Sequence, residues 1–324
     1  MNVRHLVNIS AYDFDLQRLG GHDGIRDLIS RFGIDGTEML TGHFQAPLFK
    51  DVVTAVHLPY AADWYNGWRG VHELDGLSDE ECLFLCYGRW PEDIPDTIET
   101  MIRLAAPLDP AYGVLHAASP DLYHIFSQNS GFSDREVLEN FCEILNTVAS
   151  RFHGGEPPFS LALENLWWPG LRLLERSEVS LLERHLEFER WSLCLDTGHM
   201  MNALRNCYDE GGAVEAVESA LDRLGDDVIQ RISCMHLHMS LSAEYQKRCV
   251  EMGEPETYLK AGIVEKLSMA YPHFSKMDSH SPFTNPACRH IVERVSPDFV
   301  THEFISPEIG SLETNLRMQL AHFR

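Results

Sequence analysis

Along this chain, short apolar runs alternate with longer stretches of helical periodicity. Runs of strand length fall at residues 5–10, 36–40, 52–58, 112–117, 159–163, 193–195, 232–237 and 299–304. Between them apolar residues recur at helical spacing. Ile25, Leu28 and Ile29 do so within 21–31, and Val137, Leu138, Phe141, Leu145 and Val148 within 133–151. Further helices are expected over 78–88, 94–106, 171–189, 213–224 and 311–323. Ser133 with Glu136 forms a capping box that fixes one helix start. Regular alternation of strand and helix argues for βα units on a parallel sheet. Eight such strands predict an α/β fold, the (β/α)8 TIM barrel, as a single domain over residues 1–324. The interval 241–277 is too long for a plain loop and is expected to form a partly helical insertion or lid after strand seven.

Composition narrows the function classes. The 324 residues are 44% hydrophobic, enough for a substantial core, and no apolar stretch reaches the length of a membrane span. The N-terminal stretch lacks the pattern of a secretory signal. The eight cysteines are scattered in apolar segments, and Cys82 and Cys86, four apart, read as buried thiols on a helix. A reducing cytoplasm is the expected compartment. The formal net charge of −23 repels polyanions, so duplex DNA is an unfavourable partner.

Polar residues then recur where the strands end. They are His57, His116, Glu164, Asp196 with His199, His236, and Glu303. In a barrel these tips converge on one face. Imidazoles and carboxylates together suit a divalent metal, Zn first and Mn or Fe as alternatives. Burying so many polar groups without a partner would cost several kcal/mol. Asp278 and His280 form a D-x-H pair, whose side chains share a face if the segment is extended.

The motifs H-L-P-Y, V-L-H-A, L-E-N, L-D-T-G-H, M-H-L-H, D-S-H-S and H-E-F, in that order, resemble the xylose-isomerase-like barrel superfamily, and within it the endonuclease IV-like branch (AP endonuclease family 2). The resemblance implies a site for up to three zinc ions. One would take His57, His116 and Glu164; a second Glu164, Asp196, His236 and Glu303; a third His199, Asp278 and His280. The sugar isomerase and epimerase branch shares only the quartet Glu164, Asp196, His236 and Glu303. Three departures stand out. Leu237-His238-Met239 replaces the family's usual Asn-Asp, Pro282-Phe283-Thr284-Asn285 replaces a Gly-rich segment, and the interval before Asp278 is expanded.

The resemblance implies metal-assisted hydrolysis of a phosphodiester, with Glu164 bridging two metals. A sugar isomerase or epimerase with one metal is the alternative, Glu164 and Glu303 then shuttling protons. An abasic-site DNA endonuclease is a further alternative, which the charge disfavours. Tyr60, Trp64, Trp68 and Trp167 offer flat surfaces near the tips of strands three and five, and with His238 they are the expected substrate contacts. The chain is also similar in size, charge and ligand set to cobamide-remodelling phosphodiesterases, which would make the substrate a corrinoid nucleotide loop.

Overall fold

Strands apolar on both faces are stable only when covered on both, and parallel pairing beneath a ring of helices achieves this. A computed structural model, describing residues 3–43 and 49–324, shows that arrangement. Eight parallel strands close in chain order: β1 (Arg4–Ser10), β2 (Gly36–Leu40), β3 (Val53–His57), β4 (Tyr112–His116), β5 (Ser160–Glu164), β6 (Trp191–Asp196), β7 (Ile232–His236) and β8 (Phe299–His302). The pairing of β1 with β8 completes the barrel. Leu6, Ala55, Tyr112, Val114, Ala162, Cys194, Cys234 and Phe299 form one buried cluster, and a larger one joins the strands to the helices.

Register places the strand ends level. His116 pairs with Glu164, and Asp196 with His236. The predicted tip residues therefore terminate neighbouring strands at one height. The β2–β3 register shifts between Thr37 and Glu38, an irregularity of the kind that re-aims a side chain. Glu38 is buried.

The capping box at Ser133/Glu136 starts a helix as the sequence predicts, and a second box at Ser78/Glu81 starts the helix expected over 78–88. The helix expected over 171–189 is shorter, Arg176–His185. Glu178 explains the late start. Its carboxylate accepts from the backbone N–H groups of Arg172, Leu173, Leu174 and Glu175, holding that segment as a loop. Cys82, Cys86 and the other cysteines are free and buried. Among the described residues no helix is long and apolar enough to cross a membrane.

The β7–β8 connection carries helices Ala243–Met252, Glu256–Lys260, Ile263–Met277 and Cys288–Val295. Its Tyr258, Ala270 and Met277 pack on Leu85, Leu122, Ile125, Trp167 and Trp168, which belong to the loops and helices after β3, β4 and β5. Two polar ties hold it there. Tyr258 donates to Leu122 O at 2.5 Å, and Glu254 accepts from Ser127 N at 2.9 Å and from Ser127 Oγ at 2.7 Å. Lys266 Nζ is buried and donates to Ala261 O at 2.8 Å, closing the end of the Glu256–Lys260 helix.

Glu254→Ala leaves these donors unpaired, at a cost of about 1–3 kcal/mol. Hydrogen exchange should quicken at Ser127 and across 254–262 while the barrel strands keep wild-type protection. Unchanged exchange at Ser127 would contradict the tie.

Candidate metal centre

The C-terminal end of the barrel gathers the predicted residues into three groups. In each group one ligand atom per residue lies within 4.8 Å of the others: His57, His116 and Glu164; Glu164, Asp196, His236 and Glu303; and His199, His238, Asp278 and His280. All nine residues singled out by the strand-tip pattern and the D-x-H pair are included. His238 joins the third group, where the sequence suggested a substrate contact.

Glu164 sits at the centre and is buried. Its Oε2 lies 3.2 Å from both His57 Nε2 and His116 Nε2, and its Oε1 lies 3.2 Å from His199 Nδ1 and His236 Nδ1. Glu303 approaches His236 Nδ1 at 3.1 Å, yet its Oε2 has no hydrogen-bond partner.

The outward-facing nitrogens reveal what the inward ones must do. A carbonyl oxygen only accepts, so a histidine nitrogen bonded to one carries the proton. His57 Nδ1 donates to Leu58 O at 2.8 Å, and His199 Nδ1 to Asn165 O at 3.0 Å. Nε2 of His57 then faces Glu164, and Nε2 of His199 faces Asp278 Oδ2 at 3.1 Å. A bare imidazole lone pair against a carboxylate is repulsive. Each such contact needs a cation between the partners, either a proton or a metal ion. Orphaned atoms at Glu303, His238 and His280 add to that demand. The donor set of imidazoles and carboxylates therefore fits borderline divalent ions.

Without an ion the site meets the demand with protons. Burial alone would lower the His199 and His236 pKa values, but the surrounding acidic groups hold both well above the usual imidazole range. Burial would raise Glu164 and Asp278, but neighbouring histidines hold both well below the carboxylate range. His116 stays lowered by burial despite Glu164, so it is neutral.

The D-x-H pair reaches the cluster differently from the expected extended pleat. Asp278 is extended, but His280 has φ of 44°, in the left-handed region. The kink brings His280 Nε2 to 2.7 Å from Asp278 Oδ2, and the short bridge between Met239 and Ser281 anchors the segment.

The aromatic expectations divide. Tyr60 is 47% exposed and stacks on His116 at 4.7 Å, with 13° between planes. Trp64 and Trp68 differ from the expectation: they are wall residues whose N–H groups donate to Ala118 O and Asn140 Oδ1. Packing wins there because long loops over a barrel need their own apolar anchor. Trp167 is buried beneath the β7–β8 connection, its ring 5.0 Å from His199.

Glu38 is the residue that sequence reasoning missed. Its Oε2 accepts from Tyr112 OH at 2.7 Å and Thr301 Oγ1 at 2.9 Å, and its Oε1 lies 2.8 Å from His236 Nε2. The contact is one of charge rather than an aligned hydrogen bond, and it places Glu38 behind His236 with Nδ1 turned to the second group, the position from which outer carboxylates orient metal-ligating histidines. Its only sequence signal is an acid within a short apolar strand.

Glu38→Gln should lower metal affinity by roughly 10–100-fold with secondary structure intact. Competition against a chromogenic chelator measures this, and wild-type affinity would remove Glu38 from the positioning role. A second expectation concerns pH. Burial lowers the His280 pKa, but Asp278 and Glu303 outweigh it and hold it at about 9, above its ordinary 6.5. A pKa raised by folding adds stability below the unfolded value that is lost as pH climbs through the folded one. The metal-free protein should therefore melt at lower temperature as pH rises from 6.5 to about 9. A flat or rising melting temperature over that window would count against this electrostatic account.

No protein-family model and no curated protein matches the sequence. Solved structures do match. Endonuclease IV from Thermus thermophilus aligns at 14% identity and TM-score 0.51, covering 99% of this chain and 98% of that one. A 3-keto-D-glucoside 4-epimerase from E. coli aligns at 12% and 0.50, over 98% and 99%. A xylose isomerase domain protein from Planctomyces limnophilus aligns at 12% and 0.50, over 99% and 95%. The chain thus has the fold of the endonuclease IV and xylose-isomerase-like TIM barrels.

Proposed function

We propose that this protein is a metal-dependent hydrolase of a small or medium-sized phosphodiester. The observation that carries the reading is the division of Glu164, whose two oxygens face different donor groups. Divalent ions in such groups lower the pKa of water toward about 7 and neutralise charge on phosphoryl oxygens.

The chain's own residues have distinct tasks. His57, His116 and Glu164 hold the first group, with Leu58 O fixing the His57 ring. Asp196 and His236 complete the second group with Glu164 and Glu303. Glu303 is half-buried, and its Oε2 lacks a hydrogen bond. Burial would raise its pKa, but His236 and His280 keep it low. It is therefore ionised at neutral pH and suited to accept a proton from the attacking water. Tyr60, stacked on His116 and open on its outer side, supplies a surface for a flat portion of the substrate. A nucleotide, or the nucleotide loop of a cobamide, has that combination of planar group and phosphodiester.

Two features favour a small substrate over a duplex. The net charge is −23, and the β7–β8 connection packs over the loops after β3, β4 and β5, where it acts as a lid. The fold-level likeness to endonuclease IV keeps abasic DNA as a substrate to test. The second reading, a sugar isomerase or epimerase, rests on the second group alone, which is the quartet those enzymes share.

Protein purified without chelator should carry more than one divalent ion, Zn foremost. It should hydrolyse members of a panel containing bis-p-nitrophenyl phosphate, dinucleotides and cobamides. Removing a first-group ligand forfeits several kcal/mol of charge stabilisation, so His57→Ala and His116→Ala should each lose on the order of 100-fold or more in kcat. Sugar epimerisation that survives both substitutions would instead establish the isomerase reading. Cleavage of abasic duplex at moderate salt would overturn the preference for a small substrate.

A further inference from the structure

We infer that His238 is a fourth protein ligand of the third group, which makes that group a closed site that holds its ion permanently while the first group remains the open one. The inference rests on the multinuclear reading above and assigns different work to its parts.

His238 is fully buried. Its Nε2 lies 2.8 Å from Asp196 Oδ2. Asp196 is itself buried at the end of β6. A carboxylate oxygen at that distance accepts, so Nε2 carries the proton. The other nitrogen, Nδ1, then presents a lone pair, and it has no hydrogen-bond partner. A buried lone pair without a partner is costly. The nearest charged group on that side is Asp278, with Oδ1 4.0 Å away. That gap is too long for a hydrogen bond, and it is within the separation at which His238, Asp278, His199 and His280 could hold one ion between them.

The backbone around His238 is built to receive its ring. A Cβ at Gly198 would lie 2.1 Å from His238 Cε1 and 2.4 Å from Nδ1, so any larger residue would displace the imidazole. Thr197 Oγ1 donates to His238 O at 2.6 Å and accepts from His238 N at 3.2 Å, clamping its backbone. The glycine of D-T-G-H is therefore explained by the histidine of M-H-L-H. His280 stacks on the other side of the ring at 4.1 Å.

The consequence is a difference in donor number. The third group offers four protein donors of its own, three imidazoles and one carboxylate, whereas the second reaches four only by sharing Glu164 with the first, which offers three. Four protein donors mark a structural zinc site, and three mark one that keeps a position for water or substrate. Substrate then exchanges at the first group, beside Tyr60, and the ion of the third is a fixed charge.

The test uses the full chain and metal alone. Wild-type protein should surrender its ions to chelator in separate phases, the slowest belonging to the third group. His238→Ala should lose that phase and one ion from its complement. His238→Cys, which keeps a zinc-binding donor but removes the contact to Asp196, should restore both. In wild type loaded with cadmium-113, one cadmium should couple to three imidazoles. Two imidazoles on that cadmium, or a full complement with an unchanged slow phase in His238→Ala, would overturn the assignment. The cadmium spectrum decides the matter even if the alanine variant fails to fold. A wild-type protein binding a single ion would instead sink the multinuclear reading itself.

Discussion

The barrel's register is the constraint on which the site depends. A closed parallel sheet fixes where each strand ends relative to its neighbours, and here the last residues of β3 to β7 are His57, His116, Glu164, Asp196 and His236. A one-residue slip would turn each of these side chains to the other face. The apolar cluster inside the barrel resists such a slip, because Ala162, Cys194 and Cys234 pack there with Val114 and Tyr112. The packing that stabilises the fold therefore also sets the spacing of the ligands.

The electrostatics follow from that placement. Four carboxylates (Glu164, Asp196, Asp278 and Glu303) meet six imidazoles in a space largely closed to solvent. Each charge needs a partner, since an isolated buried ion is far too costly. Leu58 O, Asn165 O and Glu38 face the outer nitrogens, leaving the inner ones to a proton or a metal. The ligand groups and their outer partners form one continuous polar network running from the barrel interior to its mouth.

Much of this was legible in the sequence. Strand periodicity gives the barrel, and the polar residues at the strand ends give the donor groups that it gathers, because both depend on local pattern. What was illegible depends on contacts between distant segments. The inward turn of Glu38 follows from a register shift between β2 and β3. The position of His280 follows from a left-handed backbone residue that no D-x-H spacing reveals. Trp64 and Trp68 looked like open surfaces, and only their partners Ala118 and Asn140 show them as wall. His238 could have been suspected from Gly198, but only once the two strand tips were known to touch.

The shared carboxylate has a consequence for how the site fills. Because Glu164 Oε2 serves the first group and Oε1 the second, neither group can be loaded without reorganising a ligand of the other. An ion in one would displace the protons that balance Glu164 and fix its side chain. Occupancy of the two groups would thus be coupled, and by thermodynamic reciprocity whatever an ion in one does to the affinity of the other is returned equally. The barrel's geometry thus ties two donor groups to a single side chain, so a change at Glu164 reaches both at once.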